Sequence, residues 1–130
     1  MVGLVIISHS ENIAKGVVEM AAQMAPNVPI IDAGGTSDGR IGTDMEKISE
    51  GIKKVYSEDG VLILFDLGSA YMNTEMAIDF LDEEFDKEKI QITDCALVEG
   101  AITAAVQSSL EENIENIKNA LKDLSLNKIL

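Results

Sequence analysis

Four short apolar segments alternate with four amphipathic segments along this chain, and this alternation restricts the fold more than any other feature. The apolar segments are nearly continuous runs of Val, Ile and Leu, which is typical of parallel strands covered on both faces. They span residues 3–8, 28–33, 61–66 and 92–99. Repeated strand–helix units with right-handed crossovers predict an α/β fold, an open doubly wound parallel sheet. Among the common topologies of such sheets we expect the flavodoxin-like one, with strand order 2-1-3-4. We expect a single domain over residues 1–130.

The amphipathic segments carry apolar residues at helical spacing. The second predicted helix opens with Thr43 and Glu46, which together form a capping-box pattern. In the third helix, Met72 and Met76 are predicted to face the core, because a pair of methionines four residues apart is more often core than a metal site. The fourth helix is predicted to be the longest and to run continuously over residues 102–124.

Composition excludes several classes of function. The net charge of −13 argues against binding to nucleic acid or anionic membranes and favours encounter with basic partner surfaces. The apolar runs are too short to cross a membrane, and the first residues show no signal-peptide pattern. The single cysteine, Cys95, cannot form an intrachain disulfide and has no companion ligands for zinc. We therefore expect a cytoplasmic protein without a metal site or membrane insertion.

The only histidine, His9, lies where the first predicted strand gives way to a polar, helix-opening segment. Strands 1 and 3 are neighbours in the predicted order, so a crevice is expected at their carboxyl ends. Asp66 ends strand 3, and adjacent strands lie about 4.8 Å apart, so we expect Asp66 to reach the imidazole. A carboxylate on Nδ1 would leave Nε2 unprotonated and able to attack. A surface or capping role for His9, and a capping role for Asp66, are the simpler alternatives.

The segment after strand 3 also predicts an anion site. Gly68 permits a tight turn and Ser69 supplies a hydroxyl at the start of the third helix, where free amides and the helix dipole favour phosphate. Ser10 lies beside the imidazole at the start of the first helix. His9 and Asp66 as catalytic residues, with Ser10, Gly68 and Ser69 binding phosphate, would together suit a phosphoryl group held transiently on His9.

Two further features have weaker functional interpretations. The Gly-rich segment 34–42 follows strand 2, and it lacks both the P-loop and the dinucleotide-binding patterns. Its Arg40, the only arginine, would contact a partner or a phosphate, or would simply lie in a solvated loop. Glu99 ends the fourth predicted strand, where it would either line the crevice or cap the next helix.

The quoted motifs resemble a known family. Four segments are similar to the phosphoryl-carrier subunits (DhaM) of bacterial dihydroxyacetone kinases that depend on the phosphotransferase system (PTS). They are Val-Ile-Ile-Ser-His-Ser at residues 5–10, Ile-Gly-Thr-Asp at 41–44, Phe-Asp-Leu-Gly-Ser-Ala at 65–70 and Leu-Val-Glu-Gly-Ala at 97–101. These subunits belong to the mannose-type enzyme IIA fold group. Sugar IIA domains more often carry Gly-Gly-Ser-Pro after the strand-3 aspartate, so the Gly-Ser-Ala at 68–70 favours the dihydroxyacetone branch.

The resemblance implies a specific relay. The phosphorylated histidine of the family corresponds to His9, and its strand-3 aspartate corresponds to Asp66. The phosphate would come from the carrier HPr and pass to ADP on the nucleotide-binding subunit of the kinase. The resemblance implies no cofactor on this chain beyond a transient phosphohistidine, with ADP and ATP held by the partner, and it implies a homodimer.

Three other functions stay open. A mannose-type IIA component of a sugar PTS would share the chemistry and differ in its acceptor. A signalling receiver domain would be phosphorylated on Asp66, but it would need an acidic pair after strand 1 for magnesium, where this chain has Ser8, His9 and Ser10. A non-catalytic binding module would bind a partner without accepting phosphate.

Overall fold

The computed structural model describes residues 1–129 and contains one four-stranded parallel sheet. The strands are β1 (Gly3–Ile7), β2 (Ile30–Asp32), β3 (Val61–Phe65) and β4 (Ile90–Thr93). They lie in the order β2-β1-β3-β4, and all three pairings are parallel. The predicted α/β fold and strand order are therefore confirmed. The central strands β1 and β3 pair along their whole length and end together at Ile7 and Phe65.

Helices cover both faces of the sheet. They are α1 (Glu11–Met24), α2 (Met45–Val55), α3 (Ala70–Asp79), α4 (Leu97–Ser109) and α5 (Ile114–Ala120), with short 3₁₀ turns at Lys87–Lys89 and Lys122–Leu124. Alternate residues of β1 and β3 point into two separate cores: α1, α4 and α5 cover one, and α2 and α3 cover the other. Among the described residues, no helix is both long and apolar enough to span a membrane.

The fourth strand and fourth helix differ from their predicted ranges. β4 stops at Thr93 and α4 already begins at Leu97, so Glu99 lies in the first turn of a helix and not at a strand end. The predicted helix over residues 102–124 is interrupted as well. Glu111 adopts a left-handed backbone (φ 63°), and Asn113 then caps α5 by accepting a hydrogen bond from the Asn116 amide. Apolar periodicity continues across this break because α4 and α5 cover the same core.

Two predictions about helix residues were also wrong. Asp44 caps α2 by accepting from the amides of Glu46 and Lys47, and Thr43 accepts instead from the Asn73 side chain. Met72 and Met76 are exposed, at 72% and 44% of their surface. The helix α3 faces the core with small residues, which are Ala70, Thr74 and Ala77. A pattern of four-residue spacing fits either stripe of this helix, and the packing of α3 on the sheet selects the smaller one.

Gly3 begins β1 directly beneath the end of α2, and this close approach leads to a prediction. A Cβ at Gly3 would overlap the carbonyl oxygen of Val55, which is backbone and cannot rotate away. We expect Gly3→Ala to destabilise the protein by about 1–3 kcal/mol through overpacking. Gly16→Ala is the matched control, because a Cβ on this exposed part of α1 would meet nothing within 4 Å. Gly16→Ala should raise the free energy of unfolding by roughly 0.5–1 kcal/mol through helix propensity. Urea unfolding measures both, and equal effects would contradict the prediction.

Candidate active site

His9 follows the carboxyl end of β1 and lies against the residue that follows β3. Its ring Nδ1 is 2.9 Å from Oδ1 of Asp66, and its backbone amide donates to Oδ2 of the same carboxylate at 3.0 Å. The expected proximity of these side chains across β1 and β3 is therefore observed. Both are mostly buried, with about a fifth of each side chain exposed (20% and 19%). Parallel pairing of the central strands, which end level with each other, produces this contact.

Asp66 accepts more hydrogen bonds than the imidazole supplies. The Ser8 hydroxyl donates to Oδ2 at 2.7 Å, and the Leu67 amide donates to Oδ1 at 2.7 Å. Burial raises the pKa of the Asp66 carboxyl, but the hydrogen bonds from Ser8, His9 and Leu67 outweigh burial and hold this pKa below its usual range. An ionised carboxylate can only accept hydrogen bonds, so the ring nitrogen facing it must carry the proton. The geometry thus fixes the Nδ1–H tautomer of neutral His9.

The other ring nitrogen faces the start of α3. Nε2 of His9 is 2.9 Å from the Ser69 hydroxyl. Ser69 is the N-cap residue of α3, but its side chain makes no capping bond. When Nδ1 carries the proton, Nε2 has a free lone pair and accepts from this hydroxyl. The unprotonated nitrogen therefore lies at a helix N-terminus, where the helix dipole favours an anion and the Ser69 hydroxyl is a donor within reach.

In the structure, two of the predicted phosphate-binding residues make other contacts. Ser10 caps α1: its hydroxyl accepts from the Ile13 amide at 3.2 Å, and its own amide donates to the Ser8 hydroxyl at 3.0 Å. Gly68 lies in the turn before α3, where its carbonyl accepts from Tyr71 at 3.1 Å. A Cβ at Gly68 would lie 3.2 Å from the carbonyl oxygen of Lys128, so a glycine lets another segment pass close to this turn.

The segment after β2 is attached to the site by its backbone. The Gly42 amide donates to the His9 carbonyl at 2.8 Å, and the Gly35 amide donates to the Ser8 carbonyl at 3.0 Å. Both glycines have positive φ angles, 143° and 69°, which favour residues without a side chain. Arg40 at the outside of this segment is exposed and pairs with Asp38 at 2.9 Å. The segment therefore supports the backbone on either side of the imidazole, and Arg40 is open to contact from outside.

Sequence reasoning missed two residues that contact Asp66. Ser8 connects the Asp66 carboxylate to the start of α1, and a serine that closes a strand gives only a weak signal for such a role. Lys128 donates to the Asp66 carbonyl from a segment 62 positions away, and nothing in its local sequence indicates this contact. Glu99, which was predicted at a strand end, lies instead in the first turn of α4.

The sequence matches one family and several curated proteins. The family model described as "PTS system fructose IIA component" (EIIA-man) matches residues 3–118. A Listeria innocua protein named "PEP-dependent dihydroxyacetone kinase 2, phosphoryl donor subunit DhaM" is 41% identical, over 95% of this chain and 99% of its own length. A Lactococcus lactis protein named "PTS-dependent dihydroxyacetone kinase, phosphotransferase subunit DhaM" is 36% identical, over 97% of this chain and 98% of its own length.

Other matches differ in length or come from solved structures. The Escherichia coli phosphoryl donor subunit DhaM is 37% identical over 90% of this chain, which corresponds to only 25% of the E. coli protein. A crystal structure of a protein of unknown function designated EF1359 superposes with a TM-score of 0.82 at 32% identity, and the match covers 95% of each chain. The fold is thus shared with this crystal structure, and each match extends over at least 90% of this chain.

Proposed function

The chain belongs to the EIIA-man family, and we propose that within this family it is the phosphoryl donor subunit of a phosphoenolpyruvate-dependent dihydroxyacetone kinase. Two Listeria innocua relatives whose names state that role align with it over 99% and 95% of their lengths. The single observation that carries the proposal is the arrangement around His9. One ring nitrogen is held by an ionised carboxylate, and the other, unprotonated, accepts a hydrogen bond from Ser69 at a helix N-terminus.

This arrangement suits phosphoryl transfer through His9. The Nε2 lone pair attacks the phosphorus of phospho-HPr, an N–P bond forms, and the bond from phosphorus to the donor atom breaks. Because Nε2 carries no proton, none has to leave during the attack. Nδ1–H stays hydrogen-bonded to Asp66, whose charge stabilises the ring as electron density moves toward phosphorus. The Ser69 hydroxyl then lies beside the transferred group, where it can donate to one of its oxygens, and the dipole of α3 favours the negative charge.

The phosphoryl group would next pass to ADP on the nucleotide-binding subunit of the kinase. The attacking atom is then an oxygen of the terminal phosphate of ADP, the N–P bond to His9 breaks, and ATP forms on the partner. His9 returns to its neutral tautomer without any net change of protons on the ring. This chain would need no bound cofactor for either step. We propose that it works in the cytoplasm as a homodimer, and that its charge of −13 favours encounter with basic partner surfaces.

A second candidate is a mannose-type IIA component of a sugar-transporting PTS. The description of the matching family favours it, because it names a fructose IIA component. The site chemistry would be the same up to the phosphohistidine, and only the acceptor would differ. The proposals therefore separate at the second transfer.

An acceptor assay with the purified chain tests the proposal. We expect phosphoenolpyruvate, the general phosphotransferase enzyme and HPr to load the chain with acid-labile, alkali-stable phosphate, as phosphohistidine chemistry requires. The loaded chain should then convert ADP to ATP on the nucleotide-binding kinase subunit. Mass spectrometry and radioactive phosphate measure both the loading and this transfer. A sugar-specific IIB protein, offered in parallel, should take up none. Transfer to IIB alone would favour the second candidate, and a chain that takes up no phosphate but still binds the kinase would be a binding module.

A further inference from the structure

Lys128 contacts the backbone at the carboxyl end of β3 and in the segment that follows β4. Its ammonium Nζ donates to three backbone carbonyl oxygens: Phe65 at 2.5 Å, Cys95 at 2.9 Å and Asp66 at 3.2 Å. An ammonium group has three N–H donors, so the three carbonyls match its full capacity. Nζ also lies 4.7 Å from the centre of the Phe65 ring, within the range of a cation–π contact.

The segment that carries Lys128 is held in place by its own contacts. Asp94 accepts from the Ser125 hydroxyl at 2.9 Å and from the Lys128 amide at 3.2 Å. The Leu126 amide donates to the Asp94 carbonyl, and the Ala96 amide donates to the Leu124 carbonyl. The backbone that carries the Lys128 side chain is therefore fixed by hydrogen bonds. Burial lowers the pKa of this ammonium, as expected for a partly desolvated charge that is solvated mainly by carbonyl dipoles.

Two of the three carbonyls flank the same residue. The Phe65 carbonyl belongs to the peptide plane before the Asp66 Cα, and the Asp66 carbonyl belongs to the plane after it. One ammonium that binds both oxygens fixes the orientation of both planes, and hence the φ and ψ angles of Asp66. These angles determine where the Asp66 carboxylate points, and the carboxylate determines the tautomer and orientation of His9.

We infer that Lys128 is a positioning residue for phosphoryl transfer, which fixes the backbone on both sides of Asp66 so that its carboxylate holds His9 with Nε2 unprotonated. The inference rests on the proposed function of His9. It extends the site to a residue that touches neither the imidazole nor the expected position of the phosphoryl group. A lysine that only stabilised the fold would not affect the proton on His9.

Substitution of Lys128 by methionine tests this inference, with Lys122→Met as the matched control. Methionine keeps much of the side-chain length and removes the donors, whereas Lys122 is an exposed lysine in the preceding 3₁₀ turn. Because His9 is the only histidine, nitrogen-15 NMR of the imidazole reports its tautomer without ambiguity. We expect Lys128→Met to lower the Nδ1–H fraction and to slow transfer from phospho-HPr by roughly 10- to 100-fold, the cost of misplacing a reacting group by about 1 Å. Lys122→Met should match the wild type in both the Nδ1–H fraction and the transfer rate.

Other outcomes would overturn the inference. A folded Lys128→Met protein with the wild-type tautomer distribution would do so, even if its melting temperature fell. If Lys128→Met does not fold, Lys128→Arg replaces it: this keeps the charge, but a flat guanidinium cannot direct three N–H groups from a single nitrogen to the three carbonyls. Wild-type tautomer and rate in that protein would also overturn it. The tautomer measurement requires no phosphate donor, so it still decides the role of Lys128 if phospho-HPr fails to load His9.

Restoring the ammonium chemically gives the complementary measurement. Lys128→Cys followed by alkylation with 2-bromoethylamine rebuilds a side chain that ends in an ammonium at nearly the same length. The native Cys95 is fully buried and burial raises the pKa of its thiol, so one adduct per chain is expected by mass spectrometry. We expect alkylation to recover both the transfer rate and the Nδ1–H fraction. Failure to recover either in a folded, singly modified protein would count against the inference.

Discussion

We expect the His9→Ala protein to take up no phosphate from phospho-HPr. The chain has one histidine, so no second imidazole can replace the lost nucleophile. The loss should be on the order of 10⁶-fold in rate, the scale found when an enzyme loses its attacking group. Rapid-quench transfer of radioactive phosphate, followed by separation of the labelled chain, measures it directly.

The His9→Ala protein should still fold, which makes the result interpretable. The backbone contacts of His9, from its amide to Asp66 and from Gly42 to its carbonyl, do not involve the ring. Circular dichroism and the urea midpoint therefore serve as controls. Stoichiometric phosphate on the His9→Ala protein would refute the assignment of His9. If that phosphate proved alkali-labile and mapped to Asp66, a receiver-like function would replace the one proposed here.

The second large effect is expected from Asp66→Asn, which changes the charge of the site and almost none of its shape. The Asp66 carboxylate accepts four hydrogen bonds: the Ser8 hydroxyl and the His9 amide on Oδ2, and the imidazole and the Leu67 amide on Oδ1. An asparagine has one accepting oxygen and one NH₂ donor. If the NH₂ group faces Nδ1, the imidazole must carry its proton on Nε2, and the nucleophilic lone pair is lost. If the asparagine side chain takes the other orientation, its NH₂ group faces the His9 backbone amide, so that two donors face each other.

We therefore expect Asp66→Asn to slow transfer by roughly 10²- to 10⁴-fold, which is the range expected when an orienting carboxylate no longer fixes the tautomer. Nitrogen-15 NMR of His9 should show a shift toward Nε2–H in the same protein. Asp123→Asn removes an equal charge from an exposed 3₁₀ turn and should leave both measurements unchanged. An Asp66→Asn protein with the wild-type rate would remove Asp66 from the mechanism, whatever its tautomer.

Parts of the fold were predictable because they depend on burial, which leaves a pattern in the sequence. The residues 3–7 and 61–65 are fully covered on both faces, and their continuous Val, Ile and Leu runs identify them as central parallel strands. The end of β4 was not predictable in this way. Leu97 and Val98 continue the apolar character of the strand, but they already belong to α4, since apolar residues suit a partly buried helix turn equally well.

Local patterns failed where tertiary packing chooses between alternatives of similar energy. Thr43 and Glu46 satisfy a capping-box pattern, yet Asp44 is the cap because Thr43 is hydrogen-bonded to Asn73 from α3. Met72 and Met76 fit a buried stripe, yet α3 turns smaller residues toward the core. In each case the deciding contact comes from another element of the chain, so no window of local sequence contains it.

Sequence patterns alone were enough to predict the parallel strands, the position of His9 at the end of the first strand and, with a flavodoxin-like order, Asp66 as the residue opposite it. These follow from strand periodicity and from the parallel arrangement, which brings the ends of neighbouring strands together. The contacts that hold the pair appear only in the folded chain: the Ser8 hydroxyl on the carboxylate, Ser69 on Nε2, and Lys128 on the peptide planes around Asp66. The physical reason is that hydrogen bonds act over about 3 Å, and residues 62 positions apart reach that distance only after the chain has folded.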